Sequence, residues 1–293
     1  MTQPVDVSIE VRDARIDVEG AAACDQLALR AAGRRLVLAG APSAAIAAAI
    51  SSRGTVVSGS LLINGKDVAQ GAHFGHVGIA ALDLPLPHRD SILAYVTVSF
   101  RLAGLSRTEA AAAAHAAMDD LGLRALETRK APTLSLAERR AAVIAQAMLP
   151  GASVLFAEAP LAGLETQAAR YVLNVLGQAC KSRSVIATAL RSDPSSPERE
   201  LLLGADCVAL LSDSGTSWIG QPDALLKGVR LYAIVVRGNE PAFVERAVAA
   251  GVEVRGDPPR MIVCLPEGAT TRVLLDAARE SDTTLLEAVA IWQ

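Results

Sequence analysis

Residues 155–165 read Leu-Phe-Ala-Glu-Ala-Pro-Leu-Ala-Gly-Leu-Glu. Together with Val154, the apolar residues before Glu158 form a short continuous run, which is typical of a strand buried on both faces of a parallel sheet. Pro160 and Gly163 follow within a few residues and predict a shaped turn. The stretch therefore predicts a buried strand and a turn, with the carboxylate of Glu158 between them.

The same order of strand, loop and helix recurs on both sides of this stretch. Further short apolar strands are predicted at 35–40, 77–81, 184–188 and 207–211. Helices are predicted at about 44–52, 89–149 and 167–181. Two Ser-x-x-Glu capping boxes mark helix starts at Ser106 and Ser135. This alternation predicts an α/β fold with a mainly parallel sheet and helices on both of its faces.

Two segments near the N-terminus have a different pattern. Val7–Val18 alternates apolar and polar residues, which predicts half-buried antiparallel strand. Residues 59–68 predict a hairpin with Asn64-Gly65 at its turn. The sheet is therefore expected to be mixed. Near the other end of this region, Ser-Asp-Ser-Gly at 212–215 predicts a further turn.

The C-terminal segment follows a boundary predicted near Lys227-Gly228. Beyond it, strands are predicted at 231–237, 252–254 and 261–265, and helices at 241–250, 271–280 and 284–291. Two β–α passages in so short a segment predict a small ferredoxin-like α+β domain at 229–293.

Composition narrows the class of protein. The chain has 293 residues, 51% of them apolar, and a mean hydropathy of +0.33. A net charge of −3 with interspersed signs gives no basic surface for nucleic acid. The longest apolar run, 39–50, is too short to span a bilayer. The first residues have no basic region followed by an apolar run, so we expect no secretory signal. We expect a cytoplasmic protein that contacts a membrane only through a partner. The cysteines are scattered along the sequence, and we expect them to be buried free thiols.

Several landmarks in this order resemble the nucleotide-binding domain of ATP-binding-cassette (ABC) ATPases. They are the Gly40 loop, the hairpin at 59–68, Leu134-Ser-Leu-Ala-Glu138 as a signature-like segment, 155–165 as a Walker-B-like segment and 184–190 as a switch-like strand. The resemblance covers roughly residues 5–228. It implies an ABC-type P-loop NTPase fold at 1–228, with a mixed sheet core and a helical subdomain at about 84–149. The segment 229–293 resembles the accessory domain of ABC-2-type exporter ATPases.

Carried over residue by residue, the resemblance implies a nucleotide site that has lost its chemical groups. Its positions in this chain are Gly40, Ala45, Ile46 and Ala47 for Walker A, Leu82 for the Q-loop Gln, Ser135 and Glu138 for the signature, Glu158 and Ala159 for Walker B, and Leu190 for the switch His. The phosphate-binding Lys is replaced by Ile46, whose apolar side chain is expected to face the phosphates, and the catalytic Glu is replaced by Ala159. Phosphoryl transfer depends on positioning and charge stabilisation by these groups.

Ser135 and Glu138 match the signature, but we favour a helix cap as the role of both residues. A metal contact through Asp83, or through His73, His76 and His88, is an alternative that no neighbouring Cys supports. Arg139 and Arg140 are expected on a solvated helix face. We therefore expect no catalytic residue, no metal site and no required cofactor.

The function implied is a catalytically inactive ABC ATPase-like subunit. It would dock on an ABC-2-type permease, pair with an active ATPase subunit, or both, at the inner face of a membrane. Two alternatives stay open: a soluble pseudo-ATPase scaffold of a non-transport complex, and a weak ATPase that binds ATP and Mg²⁺ through unusual residues.

Overall fold

The computed structural model describes residues 6–190, 196–212, 217–226, 230–266 and 268–292. The strands are β1 (Val7–Val18), β2 (Ala21–Gly33), β3 (Arg35–Ala39), β4 (Gly54–Ile63), β5 (Lys66–Asp67), β6 (Val77–Ala80), β7 (Val154–Ala157), β8 (Ser184–Ala189), β9 (Cys207–Leu211), β10 (Ser217–Gly220), β11 (Arg230–Gly238), β12 (Glu253–Arg255), β13 (Arg260–Leu265) and β14 (Thr283–Trp292). The helices are α1 (Pro42–Ile50), α2 (Ile92–Leu102), α3 (Arg107–Asp120), α4 (Leu136–Ala147), α5 (Thr166–Ala179), α6 (Glu198–Leu203), α7 (Pro222–Leu226), α8 (Glu240–Ala249) and α9 (Arg272–Glu280).

The central sheet has the strand order β10-β9-β3-β8-β7-β6. Its strands pair in parallel except β10, which runs antiparallel to β9. Strands β7 and β8 are buried along their whole length, as expected for strands covered on both faces. The predicted buried strand at the opening stretch is therefore confirmed, and Glu158 stands directly after it.

An antiparallel sheet of order β2-β1-β4-β5 covers one face of the central sheet through α1. The hairpin predicted at Asn64-Gly65 is confirmed as the turn between β4 and β5, and both turn residues have positive φ. Strand β2, which pairs with β1 over almost its full length, was not predicted.

Helices α2 to α5 cover the other face and share one apolar core with the central strands. Both predicted capping boxes are confirmed: Ser106 with Glu109 opens α3, and Ser135 with Glu138 opens α4. The helical segment between β6 and β7 is thus inserted within the sheet connection. Among the described residues, no helix combines the length and apolar character that crossing a membrane requires.

The C-terminal elements run β11, α8, β12, β13, α9, β14, which is the order of a ferredoxin-like unit. Their sheet is antiparallel throughout, with the order β12-β13-β11-β14. The helix predicted at 284–291 is wrong, because these residues form β14 and pair with β11 from Leu231 to Gly238. The boundary predicted at Lys227-Gly228 lies outside the described residues, as does most of the turn at 212–215.

Candidate functional site

Three of the positions assigned to a nucleotide site lie at the carboxyl ends of neighbouring strands. Gly40 follows β3, Glu158 follows β7 and Leu190 follows β8. The N–H of Gly40 donates to the carbonyl oxygen of Ala189 at 3.1 Å, which joins the ends of β3 and β8. In open α/β sheets this edge is where ligands bind. The fold therefore brings these positions together where a ligand site would be expected.

The turn between β3 and α1 is short and tightly enclosed. Only Gly40 and Ala41 separate the strand from the helix. Gly40 has a φ of +110°, and a Cβ at this position would lie 2.1 Å from the carbonyl oxygen of Leu211. The position requires glycine because a side chain would collide with the end of β9.

The first turn of α1 directs no amide at a ligand. The N–H groups of Ser43 and Ala44 donate to the carbonyl oxygens of Gly40 and Ala41 at 3.0 and 3.1 Å. Pro42 has no N–H to offer. A phosphate-binding loop works by pointing free backbone N–H groups at the ligand. In this turn those groups are satisfied within the protein.

Ile46, expected to face the phosphates, is instead fully buried. Because α1 begins at Pro42, residues Ala45, Ile46 and Ala47 lie inside the helix and pack between the two sheets. The expectation about the direction of the Ile46 side chain is wrong. These positions form part of the core between the two sheets.

Glu158 is tied into the protein by three contacts. Its side chain is 9% exposed, and Arg53 donates from Nη2 to its Oε1 at 2.5 Å. Its Oε2 accepts the N–H of Leu82 at 3.0 Å, and its own N–H donates to the carbonyl oxygen of Ala80 at 2.9 Å. A buried carboxylate needs such partners, because water no longer stabilises its charge. Both oxygens that could bind a metal are therefore already hydrogen-bonded.

Ala159 stands where a catalytic carboxylate would be. Its φ is +37°, its N–H donates to Oγ1 of Thr188 at 2.8 Å, and it is 1% exposed. On the other side, Leu190 is 42% exposed and its N–H donates to Glu198 at 3.4 Å. The backbone of the edge is thus fixed by neighbours within the protein.

The signature-like segment is a helix cap in this structure. Oγ of Ser135 accepts the N–H of Glu138 at 3.3 Å, and Oε2 of Glu138 accepts the N–H of Ser135 at 2.7 Å. Arg129 also donates to Glu138 at 2.5 Å. Burial acts to raise the pKa of Glu138, but the hydrogen bonds with Ser135 and the charge of Arg129 outweigh it and lower that pKa. Leu136, the first residue of α4, is 45% exposed at the surface beside this cap.

A groove of about 310 Å³ lies between the segment 82–88 and the start of α4. Its apolar lining includes Leu82, Leu84, Pro85, Leu86, Leu136 and Val143. Asp83, His88, Arg139 and Arg140 supply its charged and polar positions. The groove therefore combines an apolar floor with an excess of basic side chains.

Arg140 does not lie on a solvated helix face, which the sequence had predicted for it. Its side chain is only 11% exposed, and its Nη1 lies 3.7 Å from Oδ1 of Asp83. Burial lowers the pKa of Arg140, while Asp83 and Glu158 oppose that shift. Arg139 is exposed as expected. The prediction was thus wrong for Arg140, which points inward at the groove.

The histidines considered as metal ligands have separate surroundings. His73 is buried, with Nε2 3.0 Å from the carbonyl oxygen of Ile50, and its ring packs on Phe74. His88 lines the groove. Within the described ranges, no three His, Cys, Asp or Glu side chains are grouped as metal ligands would be.

Arg53 was missed from the sequence, because an arginine after a helix belongs to no motif. One signal did bear on the region: a proline so soon after Gly40 favours a helix start at Pro42. Helix α1 ends at Ile50, and Arg53 follows it at the surface next to Glu158.

Comparison with solved structures identifies the architecture. The structure of cbiO1 from Clostridium perfringens, part of the ABC transporter complex cbiONQ, matches with a TM-score of 0.61 at 16% identity, over 75% of this chain and 90% of that chain. A bacterial Atm1-family ABC exporter with ATP bound matches with a TM-score of 0.58 at 19% identity, over 75% of this chain and 40% of that one. This chain has the ABC ATPase fold.

Sequence comparison adds a shorter match. The phosphonates import ATP-binding protein PhnC 2 of Pseudomonas savastanoi pv. phaseolicola is 36% identical over 77 residues. That segment is 26% of this chain and spans 28% of the relative's length. No protein-family model matches the sequence. The match relates this ABC ATPase-fold chain to ATP-binding subunits of ABC transporters.

Proposed function

We propose that this protein is a catalytically inactive ABC ATPase-like subunit that serves a membrane-transport complex as a structural or regulatory partner. The observation that carries the proposal is the occupation of the site by the protein itself. Arg53 neutralises Glu158, and the first-turn amides of α1 are bonded within their own turn.

ATP and Mg²⁺ do not fit the residues at this edge. A magnesium site needs carboxylates with free oxygens alongside the substrate phosphates. Both oxygens of Glu158 already accept hydrogen bonds, from Arg53 and Leu82. The position of the phosphate-binding Lys is filled by Ile46, which is buried in the core. Helix α1 itself, Pro42–Ile50, carries no basic residue, and the N–H groups of Ser43 and Ala44 are bonded within their own turn.

The groove beside α4 is the surface that we assign to partner binding. Its apolar floor and its basic side chains suit a cytoplasmic segment that carries apolar residues and a carboxylate. We assign that segment to an ABC-2-type permease, which would place the protein in the cytoplasm, at the inner membrane through its partner. An active ATPase subunit can pair with this protein at the same time, because a permease bound in the groove leaves the carboxyl ends of the central strands uncovered.

Calorimetry tests the loss of nucleotide binding. Titration with ATP and Mg²⁺ to millimolar concentration is expected to give no binding heat, and released phosphate should equal that of a blank. Saturable heat, or Mg²⁺-dependent phosphate release, would overturn the proposal.

Co-expression tests the partner. The tagged chain is expressed with any permease and any ATPase found to be encoded next to its own gene, and the detergent-solubilised complex is purified. We expect a stoichiometric complex that a charge reversal at Arg140 weakens at least tenfold. Failure of both neighbours to co-purify would contradict a role in transport and favour the soluble scaffold.

A further inference from the structure

We propose that Arg53 is a built-in counter-ion that replaces a bound metal at Glu158 and holds the groove in one shape without nucleotide. The inference concerns the regulation of the docking groove and in that respect rests on the proposed function. Its structural content is a clamp of three residues, Arg53, Glu158 and Leu82.

The backbone places Arg53 firmly. The chain leaves α1 through a turn in which Ser52 has a φ of +57°. The N–H of Arg53 then donates to the carbonyl oxygen of Ala48 at 2.8 Å. This bond closes the end of the helix and fixes the Cα from which the guanidinium extends to Glu158. The turn therefore fixes the backbone of Arg53, and the side chain, which is 52% exposed, reaches Glu158 from the surface.

Glu158 transmits this anchor to the start of the groove. Its backbone N–H bonds the carbonyl oxygen of Ala80, and its Oε2 accepts the N–H of Leu82. The two bonds hold both ends of the same short segment at the exit of β6. Leu82 and the residues that follow it line the groove. Fixing this segment therefore fixes one wall of the groove.

Charge makes the clamp a single unit. The Glu158 side chain is 9% exposed, so without Arg53 its negative charge would lack its nearest counter-ion. Arg140, on the opposite wall, also feels the charge of Glu158. The carboxylate of Glu158 thus bonds one wall through Leu82 and acts on the charge of Arg140 in the other.

The consequence is a groove whose shape is independent of nucleotide. A metal held jointly by protein and ATP comes and goes with the nucleotide, whereas Arg53 is part of the chain. A partner would meet one preformed surface, which lowers the entropic cost of binding.

Hydrogen exchange of the full-length protein tests the clamp without any partner. Arg53→Gln and Glu158→Gln each remove the ion pair, and in the second variant the introduced amide oxygen can still accept the N–H of Leu82. Within 82–86, we expect the Leu82 amide, whose N–H is bonded to Glu158, to exchange about tenfold faster in each variant. The double variant should match the single ones, because the residues act as one unit.

The matched control is Arg12→Ala, which removes the exposed ion pair between Arg12 and Glu10 on β1. It should leave exchange at 82–86 unchanged. Exchange of the amides in β1 and β2, which pair in the same N-terminal region, reports whether each variant is folded, and Arg53→Lys, which keeps the charge, should stay within about threefold of the parent protein.

Two outcomes are decisive. Unchanged exchange at 82–86 in Arg53→Gln would overturn the clamp. Slower exchange of the parent protein at 82–86 on adding ATP and Mg²⁺ would also overturn it, since the groove would then respond to nucleotide. Loss of co-purification with a permease while the exchange results hold would contradict the proposed function alone.

Discussion

The carbonyl oxygen of Ala147 lies where a side chain on Gly78 would begin. A Cβ built at Gly78 would come within 1.8 Å of that oxygen. Strand β6 and the end of α4 therefore touch backbone to backbone. The contact positions the helical segment, and with it one wall of the groove, against the central sheet.

Replacing Gly78 by Ala should destabilise the protein by about 3 kcal/mol, because backbone on both sides must move. Urea unfolding measures the loss. Gly177→Ala in α5 is the matched control, since a Cβ there meets no atom within 4 Å. It should raise stability by about 0.5–1 kcal/mol through helix propensity. Equal effects of the two substitutions would contradict the close approach.

Ile46→Lys should destabilise the protein by about 3–5 kcal/mol, because the ammonium would be buried without a partner. Ile46 is 0% exposed, whereas Leu136 is 45% exposed. Leu136→Lys should therefore cost about 1 kcal/mol or less. Thermal unfolding compares the two. A stable Ile46→Lys variant that gains ATP binding would return position 46 to a phosphate site.

Tyr95→Phe should leave the protein equally stable or stabilise it by about 1 kcal/mol at neutral pH. The Tyr95 hydroxyl oxygen is buried and has no hydrogen-bond partner in the described part of the chain. The substitution thus removes a polar group that folding desolvates. Urea unfolding at pH 7 gives the difference, and a loss of 2 kcal/mol or more would indicate a partner for the hydroxyl.

The same residue should make stability sensitive to alkali. Burial raises the pKa of Tyr95 to about 12, above that of an unfolded tyrosine near 10. Below pH 10 the phenol is neutral in both the folded and the unfolded chain, so its ionisation takes nothing from the free energy of unfolding. As the pH rises towards 12 the unfolded chain ionises first, and the free energy of unfolding falls. Unfolding midpoints of the parent protein and Tyr95→Phe should diverge between these pH values. Parallel curves would show that the phenol is not buried.

Arg183→Ala should cost about 2 kcal/mol. The guanidinium donates to the carbonyl oxygens of Leu149 at 2.7 Å and Met148 at 3.0 Å, just after α4. Burial lowers the pKa of Arg183, with Asp120 opposing the shift. Removing the side chain leaves the Met148 carbonyl without this donor, whereas the Leu149 carbonyl keeps the N–H of Ala152 at 3.1 Å. Exposed Arg101 is the control, and Arg101→Ala should stay within about 0.5 kcal/mol of the parent in the same denaturant titration.

Most strands of the central sheet could be predicted from the sequence, because strands such as β7 are uninterrupted apolar runs. The sequence was misleading at β14, where Leu286, Glu287 and Ala288 favour a helix by composition. Pairing with β11 along nearly the whole strand outweighs that local preference. Such pairing depends on residues about 50 positions away and leaves no local signal.

The candidate site was only partly accessible from the sequence. Motif spacing predicted Gly40, Glu158 and Leu190 to lie just after the carboxyl ends of their strands, and the structure has them there. Spacing alone could not decide where α1 begins, and that start determines whether Ile46 faces a ligand or the core. The ion pair between Glu158 and Arg53 could not be predicted for the same reason, because Arg53 reaches Glu158 from the end of α1.

The position of β3 between β8 and β9 has a consequence for synthesis of the protein. Arg35 pairs with Val185, about 150 residues further along the chain, so the strand leaves the ribosome long before its neighbours do. During that interval the N-terminal antiparallel strands and the helices that precede β8 can cover its side chains, but neither strand that pairs with it has been made. A chaperone that binds nascent apolar segments would therefore be expected to select this strand, and its release would be timed by the arrival of β8.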